Sequence, residues 1–222
     1  MLKIWGRPTS ACTQRSLWCI EEAGIPYEFT LASAIMGPKG HISKGGEPFG
    51  VVDTPEYRLM NPNGTVPTID DDGFVLWESN AILAYIALSK KSDLYADDSR
   101  TFGQAVAWGS WSNEHLDPPM TDLVLHFTRL AKHLRDPAMV DKARGDMAKQ
   151  ARTLEGQLVT RPYLAGDNFT IADISVAPAI YRWQLFDDAR PPLPNVEAWV
   201  ERLAQRPAFQ RHVRPREHHF DD

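Results

Sequence analysis

The feature that most constrains this fold is the confinement of strand-like segments to the first third of the chain. Short runs with apolar/polar alternation or β-branched and aromatic residues lie at 2–5, 27–31, 67–70 and 74–77. Beyond residue 90 the apolar residues recur at helical spacing instead. The sequence therefore predicts an α/β layer followed by an all-α half, rather than one domain in which strands and helices alternate throughout.

The first half has a recognisable order of elements. The prediction is a strand (2–5), a helix (13–23), a strand (27–31), a short helix from Pro55 capped by Thr54, two strands (67–70 and 74–77) and a helix (80–89) capped by Ser79. The first three elements form a right-handed βαβ unit with parallel strands. The Asp-Asp-Gly sequence between the last two strands suits a hairpin turn.

The second half contains the helical signals. We predict a helix from 101 to 116 that breaks at Pro118-Pro119 and resumes to about 134, a helix after Pro137, and another near 196–203. In "FTIADI", Thr170 is a helix N-cap and Asp173 completes a capping box. The expected domains are 1–88 and 100–222, joined by a linker at 89–99.

Composition excludes several classes of protein. A net charge of −5 argues against nucleic-acid binding, which needs a basic face. No apolar run approaches the roughly 18 residues of a membrane span, and the N-terminus does not resemble a signal peptide. Cys12 and Cys19 match neither a zinc nor a CxxC pattern, so we expect reduced thiols in the cytoplasm and no metal. His212, His218 and His219 could suggest a metal site, but without matching Cys or acidic spacing they are interpreted as part of a solvated tail.

The stretch "RPTSACTQR" places Thr9, Ser10 and Cys12 at the start of the first helix. Free amides at a helix N-terminus favour a negative charge, so a thiolate bound beside Ser10 would gain both the dipole and a hydroxyl hydrogen bond. The alternative is that Thr9 or Ser10 only caps the helix and Cys12 is a small buried apolar side chain.

Two further stretches carry candidate binding residues. In "NGTVPTI", Pro67 enters a strand although proline cannot donate to a ladder, and a cis bond after Val66 would free backbone groups for a peptide-like ligand. In "LWESNAI", Ser79 and the first helix amides can hold a carboxylate, while Glu78 can accept from an ammonium group. An ordinary turn and an ordinary N-cap remain the alternatives.

Taken together, these motifs resemble a cytosolic glutathione transferase. The resemblance covers nearly the whole chain and is strongest in 61–87 and 163–183. It implies a thioredoxin-like N-terminal domain that binds glutathione, an all-helical domain with an acceptor pocket, and a homodimer. By position, Val66 pairs its backbone with the cysteinyl part of glutathione, Pro67 is a cis-proline, and Glu78 and Ser79 hold the γ-glutamyl end.

The resemblance leaves the thiol-activating group open. Theta- and zeta-like members use a serine at the position of Ser10, while beta-like members use a cysteine near Cys12; Thr9 is a third candidate. Family members often carry a long polar residue where this chain has Thr65. The glycyl carboxylate would then be bound by Lys44 or His41, which lie in the glycine-rich loop between the second predicted strand and Thr54.

The predicted helix from residue 101 carries Trp108, Trp111 and His115 on one face. The resemblance places this helix beside the acceptor pocket, where the rings would favour apolar electrophiles; a helix–helix core or a dimer interface is the alternative. The leading function is attack of the glutathione thiolate on a small electrophile. A glutathione-dependent isomerase, a thiol-disulfide exchange or lyase activity, and a non-catalytic glutathione-binding regulator are the alternatives.

Overall fold

A computed structural model describes residues 1–33, 50–89, 94 and 98–215 of the chain. The N-terminal layer is a four-stranded sheet in the order β2-β1-β3-β4. Strand β1 (Leu2–Gly6) pairs in parallel with β2 (Tyr27–Leu31) and antiparallel with β3 (Thr68–Asp71), which forms a hairpin with β4 (Phe74–Trp77). The predicted βαβ unit and hairpin are confirmed.

Three helices accompany the sheet: α1 (Ala11–Glu22), α2 (Pro55–Met60) and α3 (Ser79–Ser89). Helix α2 begins as predicted, because the Thr54 hydroxyl accepts from the Tyr57 amide at 3.2 Å. Helix α1 begins two residues earlier than predicted, since Ser10 is its N-cap. Helix α3 starts at Ser79 rather than after it, which moves the cap position to Glu78.

The described residues from 98 onward fold into a helical domain. Its α-helices are α4 (Ser99–Trp111), α5 (Asp117–Val124), α6 (Pro137–Leu158), α7 (Ile171–Phe186), α8 (Pro194–Ala204) and α9 (Pro207–His212). The capping box at α7 is confirmed: Thr170 and Asp173 satisfy each other's backbone amides. No helix in the described part of the chain is long and apolar enough to cross a bilayer.

The predicted helix break at Pro118-Pro119 is wrong. A π-helical turn, Ser112–Leu116, leads from α4 directly into α5, and the Asp117 amide donates to the Ser112 carbonyl five residues back. The prolines therefore stand in the first turn of α5, where the fixed φ of proline is compatible with the helix. A second π-helical turn, Leu125–Arg129, follows α5, and the run ends there rather than near 134.

Helix α1 joins the two halves. Trp18 of α1 is fully buried against Phe169 and Phe209 of the helical domain, with ring centroids 5.7 and 5.1 Å apart. At the end of the same helix, Glu22 forms an ion pair with Arg206 at 2.7 Å. One apolar cluster consequently runs from the sheet through α1 into the helical domain, and this packing presents the N-terminus of α1 to the second half.

Candidate functional site

The turn between β1 and α1 is held by contacts with α1 itself. Gly6 lies so close to this helix that an added Cβ would be 2.4 Å from Cγ2 of Thr13. The Thr13 hydroxyl accepts from the Arg7 amide at 3.2 Å, and Gln14 Nε2 donates to the Pro8 carbonyl at 2.8 Å. These bonds set the path of the chain that delivers Ser10 to the helix start.

Ser10 occupies the N-cap of α1 and is 9% exposed. Its Oγ accepts from the Thr13 amide at 3.4 Å. A serine hydroxyl accepts through its lone pairs and donates one proton, so accepting at the cap does not use up the donor. Capping and donation to an anion at the helix N-terminus are therefore compatible at this residue.

Cys12 lies in the first turn of α1 and is partly exposed. Burial raises the pKa of its thiol above the ordinary value, against the opposing effects of the Arg15 guanidinium and a hydrogen bond with Ser79. Arg15 Nη1 lies 4.0 Å from the sulfur. The net direction favours the neutral thiol, which makes Cys12 a poor nucleophile at neutral pH in this environment.

A buried ion pair supports this end of α1 from the helical domain. Arg15 is fully buried, and its guanidinium donates to both carboxylate oxygens of Asp117 at 2.7 and 2.5 Å. It also donates to Ser112 Oγ at 3.0 Å. Although burial by itself would lower the pKa of Arg15, the Asp117 carboxylate raises it above the ordinary value. Arg15 thus neutralises the charge of Asp117, and Arg15 does not itself line the cleft described below.

The loop before β3 is fixed by polar contacts. The Tyr57 hydroxyl and Asn61 Nδ2 both donate to the Thr65 carbonyl, at 2.7 and 2.9 Å, and both also contact the Thr68 hydroxyl. The Val66–Pro67 peptide bond is cis, as the resemblance implied. Pro67 is buried and Val66 is partly exposed, so Val66 lies at the accessible side of a rigid loop.

Glu78 and Ser79 form the start of α3. Glu78 is exposed and has φ of 70°, a left-handed conformation that is costly for a residue with a side chain. Its carbonyl accepts from the Ile82 amide at 3.0 Å, so the strained residue is also the first link of the helix. Ser79 is buried, and its side chain lies close enough to Cys12 to lower the pKa of that thiol. The structure therefore brings two separately predicted stretches, around Cys12 and around Ser79, into contact.

A cleft of about 90 Å³ lies between the β1–α1 turn and the helical domain. Thr9, Ser10 and Cys12 form one wall, and residues of α5 and α7 form the other. Its described lining residues are Arg7, Thr9, Ser10, Ala11, Cys12, Asp117, Met120, Thr121, Val124, Arg129, Ala179 and Arg182. The cleft adjoins the helix N-terminus where the sequence predicted an anionic sulfur.

The arginines of this cleft were missed in the sequence. Arg182 Nη2 and Arg129 Nη2 both approach the Thr9 carbonyl, at 3.0 and 3.5 Å, and Arg7 Nη1 donates to Ser33 Oγ at 3.2 Å. The sequence did contain a local indication of Arg182, because this residue lies within the apolar run of α7, where a cation is unexpected. Arg7 and Arg129 have no comparable signal in the sequence.

The predicted acceptor residues on α4 contact one another. The rings of Trp108 and Trp111 are 5.2 Å apart in an edge-to-face arrangement, and His115 is 6.1 Å from Trp111. They do not line the cleft beside Ser10, whose helical wall comes from α5, the turn after it and α7. Their place in an acceptor pocket stays a prediction.

Some predicted features lie outside the described residues. Lys44 and His41 fall within 34–49, and His218 and His219 fall within 216–222. The prediction that His212 belongs to a solvated tail is wrong. Because α9 packs against α1, His212 is buried at the end of α9 with its Nε2 2.6 Å from Glu21 Oε2. Among the residues that the structure does describe, no group of three or more His, Cys, Asp or Glu side chains is arranged to hold a metal ion.

Comparison with known proteins covers both halves of the chain. Residues 9–88 match the model for the glutathione S-transferase N-terminal domain, and residues 117–207 match that for the C-terminal domain. Glutathione S-transferase GstB of Escherichia coli is 31% identical over 216 residues, which is 96% of this chain and 98% of that protein. Glutathione S-transferase 3 of Zea mays is 32% identical over 228 residues, covering 96% and 93%.

The fold is similar to that of solved structures as well. A theta class glutathione S-transferase from Xanthomonas axonopodis pv. citri, crystallised with glutathione bound, superimposes with a TM-score of 0.85 at 35% identity. The match covers 96% of this chain and 97% of that one.

Proposed function

This chain belongs to the glutathione S-transferase family of enzymes, and we propose that it binds glutathione with the sulfur at Ser10 and transfers it to a small electrophile. The observation that carries this assignment of the site is the position of Ser10 Oγ. It caps α1, lines the cleft and keeps a hydroxyl proton available. The glutathione-bound relative of known structure supports the same ligand here.

Ser10 fits the role of thiol activator on energetic grounds. Lowering a thiol pKa by about two units requires roughly 2.7 kcal/mol of preferential stabilisation of the thiolate. A hydrogen bond to a charged group contributes about 1.5–3 kcal/mol, and the N-terminus of α1 adds its dipole. One hydroxyl plus the helix N-terminus is therefore sufficient, and no cation at the sulfur is needed.

The other two candidates fit less well. The raised pKa of Cys12 opposes both a thiolate on that side chain and a thiol-exchange mechanism. Thr9 Oγ1 is buried without a hydrogen-bond partner among the described residues. However, the Thr9 carbonyl accepts a hydrogen bond from Arg182, and Thr9 lies one residue before the N-cap of α1. We therefore place the donor at Ser10.

The neighbouring elements supply the residues that bind the remainder of the glutathione molecule. The backbone of Val66, at the accessible side of the loop that Tyr57 and Asn61 brace, pairs with the cysteinyl part. Glu78 accepts from the γ-glutamyl ammonium group, and Ser79 with the amides of α3 holds the carboxylate. The left-handed φ of Glu78 supports this role, because such strain at an exposed residue is typical of a ligand site.

The reaction is a nucleophilic substitution. The sulfur anion attacks an electrophilic carbon, an S–C bond forms, and the bond to the leaving group breaks with its electron pair going to that group. The thiol loses its proton to solvent before the attack, and the Ser10 hydroxyl favours this loss by donating a hydrogen bond to the resulting thiolate.

The Ser10→Ala variant tests the assignment. We expect the pKa of enzyme-bound glutathione, followed by thiolate absorbance, to rise by about one to two units, since a hydrogen bond of 1.5–3 kcal/mol is removed. Ser110→Ala, an exposed serine of α4, serves as the matched control. An unchanged titration in Ser10→Ala would show that Ser10 is not the activating group. Failure of the wild-type protein to bind glutathione would refute the proposed function.

We also propose that the enzyme is a cytoplasmic homodimer. Both cysteines are free thiols, which agrees with a reducing compartment. The Phe74 ring is 49% exposed and packs at 4.9 Å on Tyr85 of α3, and Val106 of α4 is also exposed. These apolar side chains support a subunit contact through the α3–α4 face.

A further inference from the structure

We propose that Arg182 of α7 is a positioning residue for the transfer reaction, because it holds the peptide unit to which Ser10 is attached. The inference rests on the proposed function, since Arg182 acts through the Ser10 hydroxyl. Its basis is a hydrogen bond between the two halves of the chain, in which Arg182 Nη2 donates to the Thr9 carbonyl at 3.0 Å.

The peptide unit before Ser10 is held at both of its polar groups. The Thr9 carbonyl and the Ser10 amide belong to this one planar unit. The Ser10 amide donates to the Arg7 carbonyl at 3.0 Å, and the Thr9 carbonyl accepts from Arg182 at the same distance. Both lengths lie within the usual range of N–H···O hydrogen bonds. The Cα of Ser10, which is attached to this unit, therefore has little freedom to move.

The cap bond of Ser10 does not by itself fix the hydroxyl. Its Oγ accepts from the Thr13 amide at 3.4 Å, which is longer than the usual range. A hydrogen bond weakens steeply when its donor is misaligned. A catalytic group has to be held within about 0.5 Å and 10–20° of its productive geometry. The backbone that carries Ser10 must therefore supply this precision.

Arg182 supplies it from a helix that is buried along most of its length. The residue is 4% exposed, and its neighbours in α7 belong to the apolar core. Its Nη2 also lies 3.5 Å from Oε1 of Gln14, a fully buried residue of α1 whose Nε2 donates to the Pro8 carbonyl at 2.8 Å. The helical domain thereby sets the position of a hydroxyl that belongs to the N-terminal domain.

Arg129 offers a comparison within the same cleft. Its Nη2 approaches the same Thr9 carbonyl at 3.5 Å, beyond the usual range of such a bond. Like Arg182, it is buried and lines the cleft. The two arginines therefore share charge and burial, and they differ in how closely they contact Thr9.

The Arg182→Gln variant tests the inference. The nitrogen of a glutamine side chain stands where Nε of an arginine stands, two bonds short of Nη2, so it does not reach the Thr9 carbonyl. We expect the pKa of enzyme-bound glutathione, followed by thiolate absorbance, to rise by about 0.5–1 unit, which is part of the rise expected for Ser10→Ala. The dissociation constant for glutathione should change by less than about threefold, because the proposed contacts with Val66 and Glu78 are untouched.

A double-mutant cycle with Ser10→Ala separates positioning from charge, because a cation near the sulfur also lowers the pKa of a thiol directly. If Arg182 acts through Ser10, Arg182→Gln should change the pKa of bound glutathione by less than about 0.3 unit once the hydroxyl is absent. An equal rise with and without the hydroxyl assigns the effect to charge and overturns the inference.

Arg129→Gln and Arg152→Gln are the matched comparisons. Arg129→Gln removes the same charge from the same cleft, and it should raise the pKa by less than about half as much as Arg182→Gln, since its contact with Thr9 is longer. Arg152→Gln, at an exposed arginine of α6, should leave the pKa unchanged. Equal rises in Arg129→Gln and Arg182→Gln overturn the assignment to the Thr9 bond.

Circular dichroism checks that each variant is folded. If Arg182→Gln does not fold, a crystal structure of the wild-type protein with glutathione decides. Arg182 Nη2 within about 3.2 Å of the Thr9 carbonyl, with Ser10 Oγ on the sulfur, supports the inference, and a longer separation overturns it.

The outcomes also separate this inference from the proposed function. A rise of the pKa in Ser10→Ala but not in Arg182→Gln overturns the role of Arg182 and leaves the transferase site intact. An unchanged pKa in Ser10→Ala overturns the assignment of Ser10 and this inference with it. Failure of the wild-type protein to bind glutathione refutes the proposed function itself.

Discussion

The buried pair of Arg15 and Asp117 makes a specific prediction about the stability of the fold. Arg15 is fully buried, whereas a quarter of the Asp117 side chain is exposed. Removing one member of a buried ion pair costs about 3–5 kcal/mol, because the other charge is left uncompensated. In Arg15→Met the orphaned Asp117 can recover hydration, so we expect a cost near the lower limit, about 3 kcal/mol.

The reverse substitution leaves the more deeply buried charge alone. In Asp117→Asn the Arg15 guanidinium has no route to solvent and loses its anionic partner. We therefore expect a cost nearer the upper limit, about 5 kcal/mol. The double variant Arg15→Met/Asp117→Leu removes both charges and should recover much of the loss, since replacing a buried pair by apolar side chains is often close to neutral.

Urea unfolding at a fixed protein concentration, followed by tryptophan fluorescence, measures these differences as shifts of the midpoint at constant m-value. Lys142→Met is the control, because Lys142 pairs with Asp146 on the exposed surface of α6 and its loss should not move the midpoint. A cost below about 1 kcal/mol for Arg15→Met, or a larger cost for Arg15→Met than for Asp117→Asn, would refute the reasoning from burial.

Two further predictions concern stability. Burial raises the pKa of Asp173 to about 6. Between about pH 4 and 6 the folded state therefore holds a proton that the unfolded state has lost. The contribution of this residue to stability consequently falls as the pH rises through about 6. The shift of about two units corresponds to roughly 3 kcal/mol. Asp173→Asn should flatten the dependence of the urea midpoint on pH across this range; an unchanged slope would contradict the assignment. Gly6→Ala should destabilise the fold by about 1–3 kcal/mol, because the added Cβ overlaps Thr13. Adding Thr13→Ser, which removes Cγ2 and keeps the hydroxyl, should recover part of that loss in thermal melts. If nothing is recovered, the strain does not come from this contact.

A last prediction concerns assembly. Val106→Asp would place a charge on the exposed apolar side of α4. Light scattering should then report a monomer for the variant, whereas we expect a dimer for the wild-type chain. A wild-type monomer, or a variant that stays dimeric, would move the subunit contact away from this face.

Much of the fold was readable from the sequence because its signals are local. The order of β1 to α3 follows from alternation, caps and turn residues, each of which acts within a few positions. The capping box of Thr170 and Asp173 is likewise a contact across three residues. The apolar residues of α6 recur at helical spacing and are the ones the structure buries. In these segments local preference and tertiary packing agree.

Other features required the assembled molecule. The sequence marked Pro118-Pro119 as a break, but a π-helical turn carries the chain through, because packing of the helix run outweighs local preference. The raised pKa of Cys12 comes mainly from burial, which no spacing of residues reveals.

The sequence by itself determined the two-part architecture and the stretches that carry Ser10, Val66 and Glu78, since each of these depends on neighbours along the chain. Only the tertiary structure decided the character of the cleft. Its arginines stand at positions 7, 129 and 182, and they meet because α1 packs against the helical domain. A cleft wall made of residues so distant in sequence exists only after that packing has brought them together.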